Sequence, residues 1–207
     1  MKTKFKEFWQ SGQREELNSI KRWNGKDTVK EESVGEHTFS VVQNVAIMCM
    51  GLFNPSYTDV VALQRDALMY AVFHDVDEVL TGDIGHELKY NNFNGEEIRQ
   101  AIDAYVKQQV AAKYDIEFVG DEMKRFILME HKRFGGIVKK LVKVADWTSM
   151  RSYCEREYKT FSNQSFKKLF EYCHLQYIKS LQVLEQNLDS SLFKQRYSKE
   201  FLSQLYI

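Results

Sequence analysis

The sequence has little proline and little glycine. One proline and ten glycines occur among 207 residues, so few positions interrupt a helix. Apolar side chains recur at helical spacing in several segments, for example at Val41, Val45, Met48 and Leu52. These features predict an all-α fold built as a helical bundle. The length favours one domain over residues 1–207.

Cysteine is also scarce. The three cysteines are widely spaced and form no C-x-x-C pair, which argues against a disulfide framework or a zinc knuckle. They are typical of buried residues in a reducing compartment. No signal-peptide core follows the basic N-terminus, and no apolar run is long enough to cross a membrane. We therefore expect a cytoplasmic protein without membrane association.

Neither sign of charge is in excess. The chain has 29 Lys and Arg and 29 Asp and Glu, so no overall basic field would attract a nucleic-acid backbone. We expect no nucleic-acid partner. A small-molecule ligand is the better expectation.

The apolar pattern predicts eight helices and two principal loops. The loops should cover residues 21–35 and 76–94, the second with room for one short helix. The helices should lie near residues 3–20, 35–53, 58–74, 95–113, 121–133, 137–158, 165–188 and 190–206.

Two histidines and two aspartates accompany three of these apolar helical runs. His37 begins one run, His74 and Asp75 end another, and Asp146 lies inside a third. Each gap between them fits an antiparallel helix hairpin, so three helices can bring them to one point. Two imidazoles and two carboxylates suit one divalent cation: Mn²⁺, Co²⁺, Fe²⁺, Zn²⁺ or Ni²⁺, with Mg²⁺ less suited. Lys143 offers an alternative, because it could supply the cationic partner of Asp146 from one helical turn away.

The order H…HD…D resembles the HD-domain phosphohydrolases. The segments Arg22-Trp23 and Glu36-His37, together with the run HDVDEVLTGD from His74 to Asp83, are more closely similar to the bacterial 5′-deoxynucleotidase branch. This similarity covers about residues 15–155. The resemblance implies an HD-domain helical bundle, on which the C-terminal helices within 165–206 would pack.

The resemblance also implies a metal centre. His37, His74, Asp75 and Asp146 would hold one divalent ion and leave room for water and a phosphate oxygen. Glu78 follows Asp75 by three residues, so it would project to the same side of a helical turn. It would orient or deprotonate the attacking water.

Three further residues are implied to contact the substrate. Arg22 would bind phosphate through its planar guanidinium group. Trp23 would offer a flat wall to the sugar or base. Asp83, in a catalytic or binding role, would meet a sugar hydroxyl.

The loop after Asp83 departs from the resembled family. After the pair Asp83-Ile84, the segment Gly85-His86-Glu87 stands where the family usually carries prolines and a threonine. We expect Ile84, Gly85, His86 and Lys89 to contact the substrate, with Lys89 reaching a phosphate. Solvated surface side chains are the alternative for His86 and Lys89.

The implied reaction removes the 5′-phosphate from a deoxyribonucleoside monophosphate. One alternative keeps the metal and changes the substrate to a deoxynucleoside triphosphate or to a cyclic or signalling nucleotide. A second alternative is a regulatory HD module that binds a nucleotide without hydrolysing it. We expect a homodimer, with C-terminal aromatic residues shared between the core and the dimer face.

Overall fold

Helices make up the regular structure of the residues that the structure describes. A computed structural model describes residues 13–23, 25–83, 97, 100–101, 104–105, 108–109, 124–126, 128 and 132–206. Within these residues, pairing of the β type is confined to two isolated bridges, Lys21 with Ser33 and Phe53 with Tyr197. The predicted all-α fold is confirmed.

Seven α-helices can be given bounds among the described residues. Two 3₁₀ turns, Arg133–Gly136 and Gln164–Phe166, and a π-helical turn, Arg156–Thr160, adjoin some of them. The helices are α1 (Gln13–Ser19), α2 (Val34–Leu52), α3 (Thr58–Phe73), α4 (Glu78–Thr81), α5 (Ile137–Glu155), α6 (Lys167–Asp189) and α7 (Lys199–Gln204). The described residues among 97–109 and 124–126 are helical as well.

The last predicted helix, over residues 190–206, is wrong in its first half, because α7 begins only at Lys199. In the preceding turns, the Phe193 N–H donates to Ser191 Oγ at 3.1 Å. Ser198 then caps α7, since its Oγ accepts the Phe201 N–H at 3.1 Å. A serine in the N-cap position starts a helix by satisfying an unpaired N–H, and this local signal prevails over the amphipathic pattern. Residues 3–12 of the first predicted helix lie outside the described residues.

The described residues fall into two compact units. In the first unit, α1 packs against α4. In the second, α6 packs along α5. The prediction of one domain stays a prediction. The first unit draws on Met1–Lys26, Glu31–Glu36 and Phe73–His131, and the second on Asp27–Lys30, His37–Val72 and Lys132–Ile207.

A buried glutamate in the second unit anchors the loop that leads toward α2. Glu157 lies in the π-helical turn after α5. Its carboxylate accepts the N–H groups of Val29 and Lys30, each at 2.9 Å, and the Nδ2 of Asn163 at 3.0 Å. Burial acts to raise the pKa of Glu157, but these hydrogen bonds together with the charge of Arg156 hold it below its ordinary value. The ionised carboxylate therefore stabilises the loop.

Replacing Glu157 with glutamine should destabilise the protein by about 2–4 kcal/mol at neutral pH, because buried N–H donors lose a charged acceptor. A lowered folded-state pKa means that the stabilisation is complete above the unfolded-state pKa and is lost as the pH falls through the folded-state value. Urea denaturation of both proteins across the acidic range measures this. The difference in unfolding free energy should shrink with acidification, and a difference independent of pH would contradict the assignment.

Candidate metal site

A capping box sets the start of the helix that carries His37. The Glu36 carboxylate accepts the Ser33 N–H at 2.8 Å, and the Ser33 Oγ accepts the Glu36 N–H at 3.1 Å. This reciprocal pair begins α2 at Val34. His37 follows in the first turn, where its side chain is buried.

His37 and Asp146 are brought together within the second unit. The Nε2 of His37 lies 3.1 Å from Asp146 Oδ1, and its Nδ1 lies 3.1 Å from Ser149 Oγ. Asp146 and Ser149 are one turn apart on α5, so they share a face of that helix. Ser149 was missed at the sequence level. Its spacing of three residues from Asp146 in an apolar run was the available signal, because a second-layer partner commonly orients a ligating imidazole.

Lys143 also contacts the aspartate. Its Nζ lies 2.8 Å from Asp146 Oδ2, so both carboxylate oxygens have partners. The alternative partner expected from the sequence is therefore present. The side chain of Lys143 is 54% exposed and can leave at little cost, since exposed ion pairs contribute about 0–1 kcal/mol.

His74 and Asp75 lie in the turn between α3 and α4. The Val76 N–H donates to Phe73 O at 3.2 Å, and the Glu78 N–H donates to Asp75 O at 3.1 Å. The His74 Nε2 lies 3.1 Å from Asp75 Oδ2. Glu78 occupies the first turn of α4, and it is 7% exposed. A carboxylate this buried requires hydrogen-bond donors or a cation beside it.

The four predicted metal ligands form one histidine–aspartate pair in each unit. In the second unit the Nε2 of His37 lies 3.1 Å from Asp146 Oδ1, and in the first unit the Nε2 of His74 lies 3.1 Å from Asp75 Oδ2. Imidazole nitrogens and carboxylate oxygens suit a divalent transition metal. Coordination of one ion by all four residues stays a prediction.

Two of the predicted substrate contacts also meet, within the first unit. The Trp23 N–H donates to Asp83 Oδ2 at 3.0 Å. The Trp23 Nε1 donates to Glu32 Oε2 at 3.1 Å, and the Arg22 guanidinium lies 5.4 Å from the centre of the Trp23 ring. Glu32 was missed at the sequence level, where it was one of several charged residues in a polar loop. Ile84, Gly85, His86 and Lys89 lie outside the described residues.

The helices of the described region include none that is both long and apolar enough to cross a lipid bilayer.

The fold is that of the HD-domain proteins. The structure is similar to a solved HD-domain phosphohydrolase from Listeria innocua, with a TM-score of 0.59 and 19% sequence identity. The likeness covers 97% of this chain and 95% of that one. A family model described as 5′-deoxynucleotidase YfbR-like matches residues 12–201. The chain therefore belongs to the YfbR-like family, and it is a hydrolase.

Curated relatives agree with this assignment. A 5′-deoxynucleotidase of Citrobacter koseri is 29% identical over 150 residues, which are 72% of each chain. The 5′-deoxynucleotidase YfbR of Escherichia coli and a 5′-deoxynucleotidase of Klebsiella pneumoniae show the same identity and coverage. The resemblance inferred from the sequence motifs is confirmed at the level of the family.

Proposed function

We propose that this protein is a metal-dependent phosphohydrolase that removes the 5′-phosphate from deoxyribonucleoside monophosphates. One observation carries the proposal: each unit places a histidine of the predicted ligand set beside an aspartate of that set, with 3.1 Å between His37 Nε2 and Asp146 Oδ1 and 3.1 Å between His74 Nε2 and Asp75 Oδ2. The names of its family and of its curated relatives support a nucleotide as the substrate.

His37, His74, Asp75 and Asp146 would hold the ion. The donor set fits Mn²⁺, Co²⁺, Fe²⁺, Zn²⁺ or Ni²⁺ better than Mg²⁺, which prefers oxygen ligands. When bound, such an ion neutralises phosphate charge and lowers the pKa of a water molecule. Ser149 supports the site from behind, since it contacts the imidazole nitrogen of His37 that faces away from Asp146.

Glu78 is the proposed proton acceptor. It starts α4 three residues after Asp75, and it is almost buried. Its place directly after the turn that carries His74 and Asp75 suits it to accept a proton from the attacking water. We assign Glu78 to orienting and deprotonating that water.

Arg22, Trp23 and Asp83 would bind the nucleotide. The guanidinium of Arg22 can pair with two phosphate oxygens at once. Trp23 offers its ring to the sugar or base. Asp83 accepts the Trp23 N–H at its Oδ2. We propose that Asp83 also accepts a hydrogen bond from a sugar hydroxyl. Ile84, Gly85, His86 and Lys89 remain proposed substrate contacts.

The proposal includes a homodimer acting in the cytoplasm. Cys49, Cys154 and Cys173 are free and buried, which agrees with a reducing compartment. The aromatic residues of the C-terminal helices support the proposed dimer, because exposed aromatic side chains such as Tyr172 on α6 suit a protein interface.

A panel of nucleotides tests the function. Release of phosphate, pyrophosphate and triphosphate is measured with deoxyribo- and ribonucleoside 5′-mono-, di- and triphosphates and a cyclic nucleotide. Each is assayed with Mn²⁺, Co²⁺, Zn²⁺ and Mg²⁺. We expect deoxyribonucleoside monophosphates to be hydrolysed at least about tenfold faster than the other classes. Release of triphosphate would favour the triphosphohydrolase alternative. Nucleotide binding without turnover with any metal would favour the regulatory alternative.

A further inference from the structure

Trp23 has a backbone conformation that tryptophan rarely adopts. Its φ is +64°, in the left-handed region that favours glycine. A residue persists there only where surrounding contacts hold it. Its N–H donates to Asp83 Oδ2 at 3.0 Å, its carbonyl accepts the Lys26 N–H at 2.9 Å, and its Nε1 donates to Glu32 Oε2 at 3.1 Å. Each polar group of Trp23 thus has a partner within the first unit.

Glu32 contacts both members of the Arg22–Trp23 pair. Besides accepting the indole N–H, it accepts the Arg22 N–H at its backbone carbonyl, at 2.9 Å. Its Oε2 also lies 4.0 Å from Arg22 Nε, and the two side chains are only 9% and 12% exposed. Water therefore screens the guanidinium and the carboxylate weakly. One carboxylate orients the indole and faces the guanidinium.

We propose that Glu32 is a positioning residue for the nucleotide, acting through its hydrogen bond to the indole of Trp23 rather than by touching the substrate. The inference rests on the proposed function, in which Arg22 meets phosphate and Trp23 meets the sugar or base. An indole that is already held needs no ordering when the substrate binds, and such pre-organisation strengthens binding. Glu32 should therefore affect KM much more than kcat.

Two substitutions separate the hydrogen bond from the charge. Glu32→Ala removes the acceptor of the Trp23 Nε1–H, whereas Glu32→Gln keeps an oxygen acceptor at similar reach. We expect KM to rise about tenfold in Glu32→Ala with kcat within about threefold, and Glu32→Gln to keep KM within about threefold of the parent. Glu31→Ala is the matched control, because Glu31 is 68% exposed and pairs with Lys21.

Fluorine NMR of protein containing 5-fluorotryptophan supplies a second readout. Trp23→Phe identifies the Trp23 resonance, because that resonance is missing from its spectrum. The same variant removes the donor of the hydrogen bond, whereas Glu32→Ala removes the acceptor. The resonance should shift or broaden in Glu32→Ala and stay unchanged in Glu32→Gln and Glu31→Ala. In Trp23→Phe, KM should rise as it does in Glu32→Ala.

Several results would overturn the role of Glu32. These are a parent-like KM in Glu32→Ala or Trp23→Phe, an unchanged Trp23 resonance in Glu32→Ala, or a KM for Glu32→Gln as high as that for Glu32→Ala. If Glu32→Ala does not fold, Glu32→Met, which keeps a side chain of similar length without the carboxylate acceptor, takes its place in both measurements. Failure of the parent protein to hydrolyse any nucleotide would instead contradict the proposed function, while the NMR comparison would still test Glu32.

Discussion

Replacing Glu78 with alanine should lower turnover by about 10²–10⁴-fold, the range for losing a general base. Metal and nucleotide binding should be retained, because Glu78 is outside the proposed ligand set and outside the proposed phosphate and sugar contacts. We assign Glu78 as the acceptor of the water proton because it is buried at the start of α4, directly after the turn with His74 and Asp75. Steady-state kinetics and calorimetric titration measure the two effects separately.

Two further variants serve as controls: one keeps the shape of the Glu78 side chain, and the other removes a glutamate from the surface. Glu78→Gln keeps the volume of the side chain and cannot accept the proton, so it should lose turnover as Glu78→Ala does. Glu155→Ala removes a glutamate whose visible contact is a surface pair with Lys159, and it should leave turnover unchanged. Parent-like turnover in Glu78→Gln would remove Glu78 from proton transfer.

Replacing Asp146 with asparagine should weaken divalent-metal binding by more than about 100-fold. Removing a residue that only orients a metal ligand weakens binding by up to about 100-fold, and Asp146 is proposed to be a ligand itself. Asparagine keeps the shape but carries no charge, and the neighbouring imidazole of His37 loses its carboxylate partner. Turnover should fall in parallel and recover partly at high metal concentration. Titration of chelator-treated protein with Mn²⁺ measures the affinity. An unchanged affinity would show that Asp146 is not a ligand.

Replacing Lys143 should change the metal affinity in the opposite direction, and the same titration measures it. Its ammonium group holds Asp146 Oδ2 at 2.8 Å, so it competes with a cation for that oxygen. Lys143→Met should therefore tighten metal binding by about two- to fivefold. Lys139→Met is the matched control, because it removes an equal charge one turn earlier on α5, where the ammonium lies 5.7 Å from the centre of the Tyr70 ring. Equal affinities in the two variants would contradict the competition.

Local signals in the sequence were sufficient for much of the fold. The capping box of Ser33 and Glu36 and the apolar spacing of α2 both act over one or two turns, so neighbouring residues decide them. The same holds for the end of α3, after which His74 and Asp75 follow. Where two local signals conflicted, as before α7, the cap at Ser198 prevailed over the amphipathic pattern.

The candidate ligands were predictable for a different reason. An ionisable side chain within an apolar helical run is costly unless it is paired or bound to a metal. Asp146 stood out by that cost, whereas His37 was included because its spacing from His74 fits a helix hairpin. The two side chains lie 3.1 Å apart, although 109 residues separate them.

The sequence by itself determined that the chain is helical and that a few histidines and aspartates are out of place on apolar faces. Helix propensity and the cost of burying charge are properties of the residues and their near neighbours. Only the tertiary structure decided which polar side chains became anchors. Asp83 and Glu157 accept hydrogen bonds from remote backbone donors, the N–H groups of Trp23 and Val29, and Glu32 accepts the indole N–H of Trp23. All three contacts depend on how the chain packs. An exposed glutamate in a polar loop has the same local sequence signature as a buried one.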